Sequence, residues 1–261
     1  MAITVACLHS PGAKRYERIA QAMYTGVRIH GDIPTMVMHN AAPNADVAVM
    51  YGWKLSASLR KYPQFIYADL GYWQRETHYR MTVGGWSPDG YVRAGLPADR
   101  LRSFGVRVKP WHSGEHVLLI GASEKASREH GFRYMEWERE MAGRLKALGH
   151  SVVYRAKPND PRRCQIPGAG YDTGSLSNAF AKAKAVVAHH SNVCVEALAA
   201  GLPVHCVTGV AAALSVPIES LEVRPEGREQ FLADVAWLQW SLDEIRRGEF
   251  WAHIKERGLV R

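Results

Sequence analysis

Residues 185–206 read AVVAHHSNVCVEALAAGLPVHC. His189, His190, Ser191 and Asn192 follow an apolar run, and Glu196 stands inside the alanine- and valine-rich segment after them. In an open parallel α/β sheet, ligands collect beyond the carboxyl ends of the strands. The four polar residues fall where such a strand would turn into a helix. Ser191 or Asn192 can cap that helix, and its free N–H groups and positive dipole end suit a phosphate. Glu196, about one turn in, is placed to accept hydrogen bonds from sugar hydroxyls. The plain alternative is an ordinary capped helix with an outward-facing glutamate.

A second constellation lies in the first half. QFIYADLGYW ends an apolar run on Asp69. A carboxylate at a strand end, partly desolvated, can take the proton of an attacking hydroxyl; a turn cap is the competing role. His9, in the loop of CLHSPG, is the second candidate base. Arg75, Arg80 and Arg93 share one region with Tyr72, Trp73 and Trp86. Arginine among aromatics is suited to gripping phosphates and stacking extruded bases. It equally suits a carbohydrate surface or a loop packed on a core.

The elements that must position these residues are short. ITVACL, VRIH, VAVMY and QFIYADL read as buried strands. KRYERIAQAMYTG has helical spacing, with Gly26 as its expected C-cap. Residues 71–112 have no clean period and read as ordered functional loop. The pattern restarts with HVLLIGAS, an amphipathic helix ending at Gly149, the strand SVVYR, the helix LSNAFAKA, the strand KAVVAHH, the helix NVCVEALAAG and the strand LPVHCV. The tail REQFLADVAWLQWSLDEIRRGEFWAHI reads as helices broken near Gly248. The expectation is α/β: two Rossmann-like domains facing across a cleft, 1–112 and 113–261, the second carrying the helical tail.

Composition bounds the partners. The 261 residues carry a net charge of +8, and 47% are hydrophobic, enough for a sizeable core. Residues 1–110 hold 14 Lys/Arg against 7 Asp/Glu, so the basic excess lies in the first part. That points to an acidic partner, nucleic acid foremost, or to a solvated basic surface. No apolar stretch is long enough for a membrane span. No signal peptide is expected, and four scattered cysteines without a CxxC pair fit a cytoplasmic setting. The twelve histidines are dispersed, no DxD-like dyad occurs, and no metal site is expected.

HHSNVCVEALAAGLPVHC resembles the nucleotide-sugar-binding segment of GT-B-fold glycosyltransferases, which carry a similar small-residue loop, an EA-type helix and a GxPV strand. VVYRAKP is similar to the R-x-H-P turn of related capsule-type transferases, with Lys157 in the histidine's place. The tail is similar to those of small glycosyltransferase-like proteins of bacteriophages. The resemblance covers residues 116–252. It implies a metal-independent enzyme with no cofactor beyond a nucleotide-sugar co-substrate, a UDP-sugar being the expectation. Glu196 would hold the donor's sugar, and Ser191 and Asn192 its diphosphate. Arg155 and Lys157 would neutralise the leaving phosphates, with His190 and Ser123 as further contacts. Asp69 or His9 would be the base. Arg75, Arg80, Arg93, Tyr72, Trp73 and Trp86 would bind the acceptor. With the basic first half, the expected acceptor is a 5-hydroxymethylpyrimidine in phage DNA. A surface polysaccharide or small glycan, and a non-catalytic nucleic-acid-binding protein with a degenerate donor domain, are the alternatives.

Overall fold

The computed structural model describes residues 1–41, 44–52, 58–85, 94–158, 160, 162 and 164–261. It divides into two units, Met1–Gly90 with Val235–Arg261, and Tyr91–Asp234.

The first unit opens with β1 (Thr4–His9), α1 (Lys14–Ile29), β2 (Ile33–Met38), β3 (Val47–Tyr51), β4 (Gln64–Leu70) and β5 (His78–Val83). Strands β1 to β4 pair in parallel, and β5 returns antiparallel to β4. Strand β3 (VAVMY) is buried throughout, as a strand covered on both faces must be, so it shows no alternation. Helix α1 sets Ile19, Met23 and Val27 against the sheet.

Two local expectations change here. VRIH is not a strand: α1 continues through it to Ile29, and Gly26 lies inside the helix. Residues 78–83, expected as loop, form β5. They are buried between β4 and a strand supplied from far along the chain.

The second unit contains α2 (Asp99–Ser103), β6 (His116–Ile120), α3 (Glu124–Glu129), α4 (Glu136–Ala147), β7 (Val152–Arg155) and β8 (Gly170–Tyr171). After these come α5 (Leu176–Lys182), β9 (Ala183–His190), α6 (Val193–Ala200) and β10 (Val204–Thr208). The sheet order is β10-β9-β6-β7-β8, every pairing parallel. Gly149 takes the left-handed backbone (φ 80°) after α4, as expected of a residue that ends a helix.

The tail comprises α7 (Arg228–Ala236), β11 (Gln239–Ser241), α8 (Leu242–Arg246) and α9 (Glu249–Glu256). Most of it belongs with the first sheet rather than with 113–261. Strand β11 pairs antiparallel with β5, giving the order β11-β5-β4-β3-β1-β2. Trp240, Phe250, Trp251 and Ile254 join the core of Ile19 and Met23. The physical reason is a buried polar clasp as well as apolar area. Asp32 accepts bonds from the Ile3 N–H (2.8 Å), Trp251 Nε1 (2.7 Å) and Lys255 Nζ (2.6 Å).

Candidate functional site

In the second unit, β6, β7, β9 and β10 end along one edge of a parallel sheet, where loops are free to meet a ligand. Strand β9 ends on His190, and α6 starts three residues later. Ser191 caps this turn: its Oγ accepts the Val193 N–H at 3.2 Å, and its carbonyl accepts the Cys194 N–H. Asn192 has helical backbone angles and makes no side-chain cap. Glu196 lies in the first turn of α6 and is half-buried. Gly201 ends the helix with φ 90°, and a Cβ there would stand 2.1 Å from the Pro110 carbonyl oxygen, so only glycine fits.

The two histidines have different surroundings. The His189 ring lies 4.4 Å from His130, 5.3 Å from Phe132 and 5.4 Å from Trp137. Burial, together with the neighbouring His130, lowers its pKa to about 4, which keeps it neutral near pH 7. The His190 ring is 5.7 Å from His130, and its Nδ1 is 3.4 Å from Thr208 Oγ1. Gly209 (φ 93°) leaves room beside it: a Cβ would approach His190 Nδ1 to 3.1 Å.

Arg155, at the end of β7, is committed internally. It forms an ion pair with Asp172 and donates to the Gly174 carbonyl at 2.8 Å. Lys157, two residues on, is exposed with no carboxylate partner among the described residues. Ser123 caps α3, accepting the Ala126 N–H at 3.3 Å. One residue that sequence reasoning missed sits beneath this edge. Glu138 of α4 accepts the Ala122 N–H at 2.7 Å. Nothing in EWEREM distinguishes it from the charged face of an ordinary helix.

In the first unit, Asp69 stands at the carboxyl end of β4. Its carboxylate accepts the Tyr67 hydroxyl and the Leu70 N–H, each at 2.8 Å, and faces Arg80 Nη2 at 3.5 Å. The side chain is 37% exposed, so it is less desolvated than the apolar strand suggested. Tyr16 and Tyr51 lie close by, edge to face at 5.5 Å. Their hydroxyl pKa values are raised by burial and, next, by the negative charge of Asp69. His9 ends β1, two strands away across β3, which puts it roughly 10 Å from Asp69 along the same edge.

The aromatic–arginine platform comes apart. Tyr72 is 1% exposed and Arg80 5%, with the Arg80 guanidinium 5.9 and 5.7 Å from the Tyr67 and Tyr72 ring centres. Pairing of β5 with β4 turns Arg80 inward toward Asp69. These two residues therefore present no surface to stack on a base or grip a phosphate. Trp73 is half-buried, its N–H donating to Gln239 Oε1 at 3.1 Å. Arg75 remains exposed, its Nε donating to the Tyr72 carbonyl at 3.3 Å. Trp86 and Arg93 lie outside the described residues.

Among the described residues, no group of three or more His, Cys, Asp or Glu side chains is arranged to hold a metal ion, and no helix is long and apolar enough to cross a membrane.

No family model and no curated protein matches the sequence. Among solved structures, the chain is similar to the beta Kdo 2,7 transferase of Thermosulfurimonas dismutans KpsC, with TM-score 0.56 and 13% identity over 97% of this chain and 100% of that one. It is also similar to the beta Kdo 2,4 transferase of the same KpsC, with TM-score 0.53 and 13% identity over 90% of each. The two-domain α/β fold is thus GT-B-like, the fold of glycosyltransferases, in agreement with the resemblance of residues 185–206. Neither neighbour supports the likeness of the tail to phage proteins.

Proposed function

We propose that this chain is a glycosyltransferase that moves a sugar from a nucleotide-sugar donor to a hydroxyl of a glycan. The observation that carries the proposal is the fold likeness, which spans nearly the whole chain and joins it to two sugar transferases. The donor belongs at the β9–α6 turn, with Glu196 accepting from sugar hydroxyls and the Ser191-capped helix start facing the phosphates. Among the described residues, Lys157 is the cation left at the β7 turn for the departing phosphate, because Arg155 is spent on Asp172. Asp69 is the base. In an inverting displacement, the acceptor oxygen attacks the anomeric carbon and its proton passes to the Asp69 carboxylate. The bond from that carbon to the donor phosphate oxygen breaks, and the nucleotide leaves with the electron pair. Tyr67 and Arg80 hold the carboxylate in place for this step.

A glycan acceptor is preferred to DNA because both similar structures are Kdo transferases, and Arg80 and Tyr72, two of the groups that would grip a nucleic acid, are interior. The basic excess of residues 1–110 sustains DNA bearing a hydroxymethylpyrimidine as the second reading. One experiment addresses both. The protein is incubated with UDP-sugars and other nucleotide sugars, with oligosaccharides or hydroxymethylated DNA, and the products are weighed by mass spectrometry. Sugar transfer to an oligosaccharide supports the first reading, and transfer to DNA the second. No consumption of any nucleotide sugar overturns both.

A further inference from the structure

Glu138 lies in the first turn of α4 and is 1% exposed. One carboxyl oxygen, Oε1, accepts the Ala122 N–H at 2.7 Å; the other, Oε2, is buried with no hydrogen-bond partner among the described residues. No lysine or arginine among the described residues forms an ion pair with it. Ala122 is the middle residue of the Gly121–Ser123 turn, which leads from the carboxyl end of β6 into α3. In a strand-to-helix turn of this kind, such N–H groups commonly point outward to a ligand's phosphate. Here the Ala122 N–H is drawn inward. Gly121 lets the turn lie flat, since a Cβ there would stand 2.4 Å from the Tyr154 hydroxyl.

A buried carboxylate with one donor and no cation is costly, whereas a buried carboxylic acid is far cheaper. Tyr154 of β7 and Asp160 of the loop after β7 act on Glu138 electrostatically. Asp160 is itself taken up by the Tyr134 hydroxyl and Arg162. The Ala122 N–H, the Glu138 peptide N–H and, least, Arg139 pull toward the anion. Burial, the largest influence, outweighs them and raises the Glu138 pKa.

We propose that Glu138 is a positioning residue for the donor: by holding the Ala122 N–H from beneath, its buried carboxyl group fixes the Gly121–Ser123 turn so that the turn can border the donor's phosphates. This rests on the reading of the second unit's strand-end edge as the donor site.

The test is calorimetric titration of the full chain with UDP and with inorganic pyrophosphate. Glu138→Gln keeps the acceptor oxygen, and its affinity should stay within about twofold of wild type. Glu138→Leu, which deletes the acceptor, should weaken binding roughly tenfold while the chain stays folded. Wild-type affinity in a folded Glu138→Leu overturns the proposal while leaving the donor reading standing. So does an equal loss in Glu138→Gln and Glu138→Leu. Failure of the wild type to bind UDP or pyrophosphate removes the donor reading for these ligands, and this proposal with it.

Discussion

Asp69 and Arg80 are register partners on β4 and β5, yet the guanidinium is 5% exposed and the carboxylate it reaches is 37% exposed. The pair therefore has a structural end and an open end. Arg80 is held between the Tyr67 and Tyr72 rings, and Asp69 presents its free side at the strand terminus. Asp69→Asn keeps the size and removes the basicity. Transfer should fall by roughly a hundredfold to ten-thousandfold while donor affinity stays within about twofold. Steady-state kinetics beside donor calorimetry measure both quantities, and an unchanged turnover number rejects Asp69 as the base.

His189 supplies a pH prediction. Its folded-state pKa is lowered from 6.5 to about 4, by burial first and the nearby His130 second. Between those values the unfolded chain carries a proton that the folded chain does not, so stability falls as pH drops from 6.5 toward 4. His189→Phe should flatten that slope in denaturant unfolding curves. The His189 imidazole should titrate near pH 4 by NMR in the wild type. A midpoint at an ordinary histidine value would mean that the ring is solvated rather than packed against Phe132 and Trp137.

These two sites show how far the sequence reaches. The β9–α6 loop was legible because an apolar run, small polar residues and a GLPV strand follow one another in order. Asp69 was legible because it ends such a run. Arg80 was not: an arginine among aromatics looks exposed, and only β5 pairing on β4 makes its burial tolerable. Strand β5 itself contains His78 and Arg80 and needs β11, some 160 residues on, to cover its edge. The placement of the tail was hidden for the same reason. An amphipathic helix carries the same pattern whichever sheet it covers.

Asp32 tests the polar side of that placement. Burial works against its charge, but bonds from Lys255, the Ile3 N–H and Trp251 outweigh it, and the carboxyl pKa sits below the ordinary 3.8. Its contribution is complete above the unfolded value and is lost as pH falls through the lower folded value. Asp32→Asn should cost about 1.5–3 kcal/mol at neutral pH, and the difference from wild type should shrink below about pH 3.8. Urea unfolding at several pH values measures this. A difference that persists unchanged in acid would assign the loss to packing alone.

Gly26 tests the apolar side. Alanine in a helix interior is ordinarily favoured over glycine by about 1 kcal/mol, and on the expectation of a helix C-cap the substitution would instead meet left-handed backbone strain. Neither describes this position. Gly26 lies inside α1, outside the left-handed region, and a Cβ there would stand 2.1 Å from the Ile245 carbonyl oxygen and 3.1 Å from Gly248 Cα. Those atoms are backbone at the end of α8 and the start of α9, so they cannot swing aside as a flexible side chain would. To admit the methyl group, the tail must lift away from α1, loosening Phe250 and Trp251 in the shared core and the bond between His30 Nε2 and the Gly248 carbonyl. Gly26→Ala should therefore destabilise the first unit by about 2–3 kcal/mol despite the better helix propensity. Denaturant unfolding measures the loss, and limited proteolysis should cut the tail of the variant before that of the wild type. A gain in stability would show that the tail does not rest on α1.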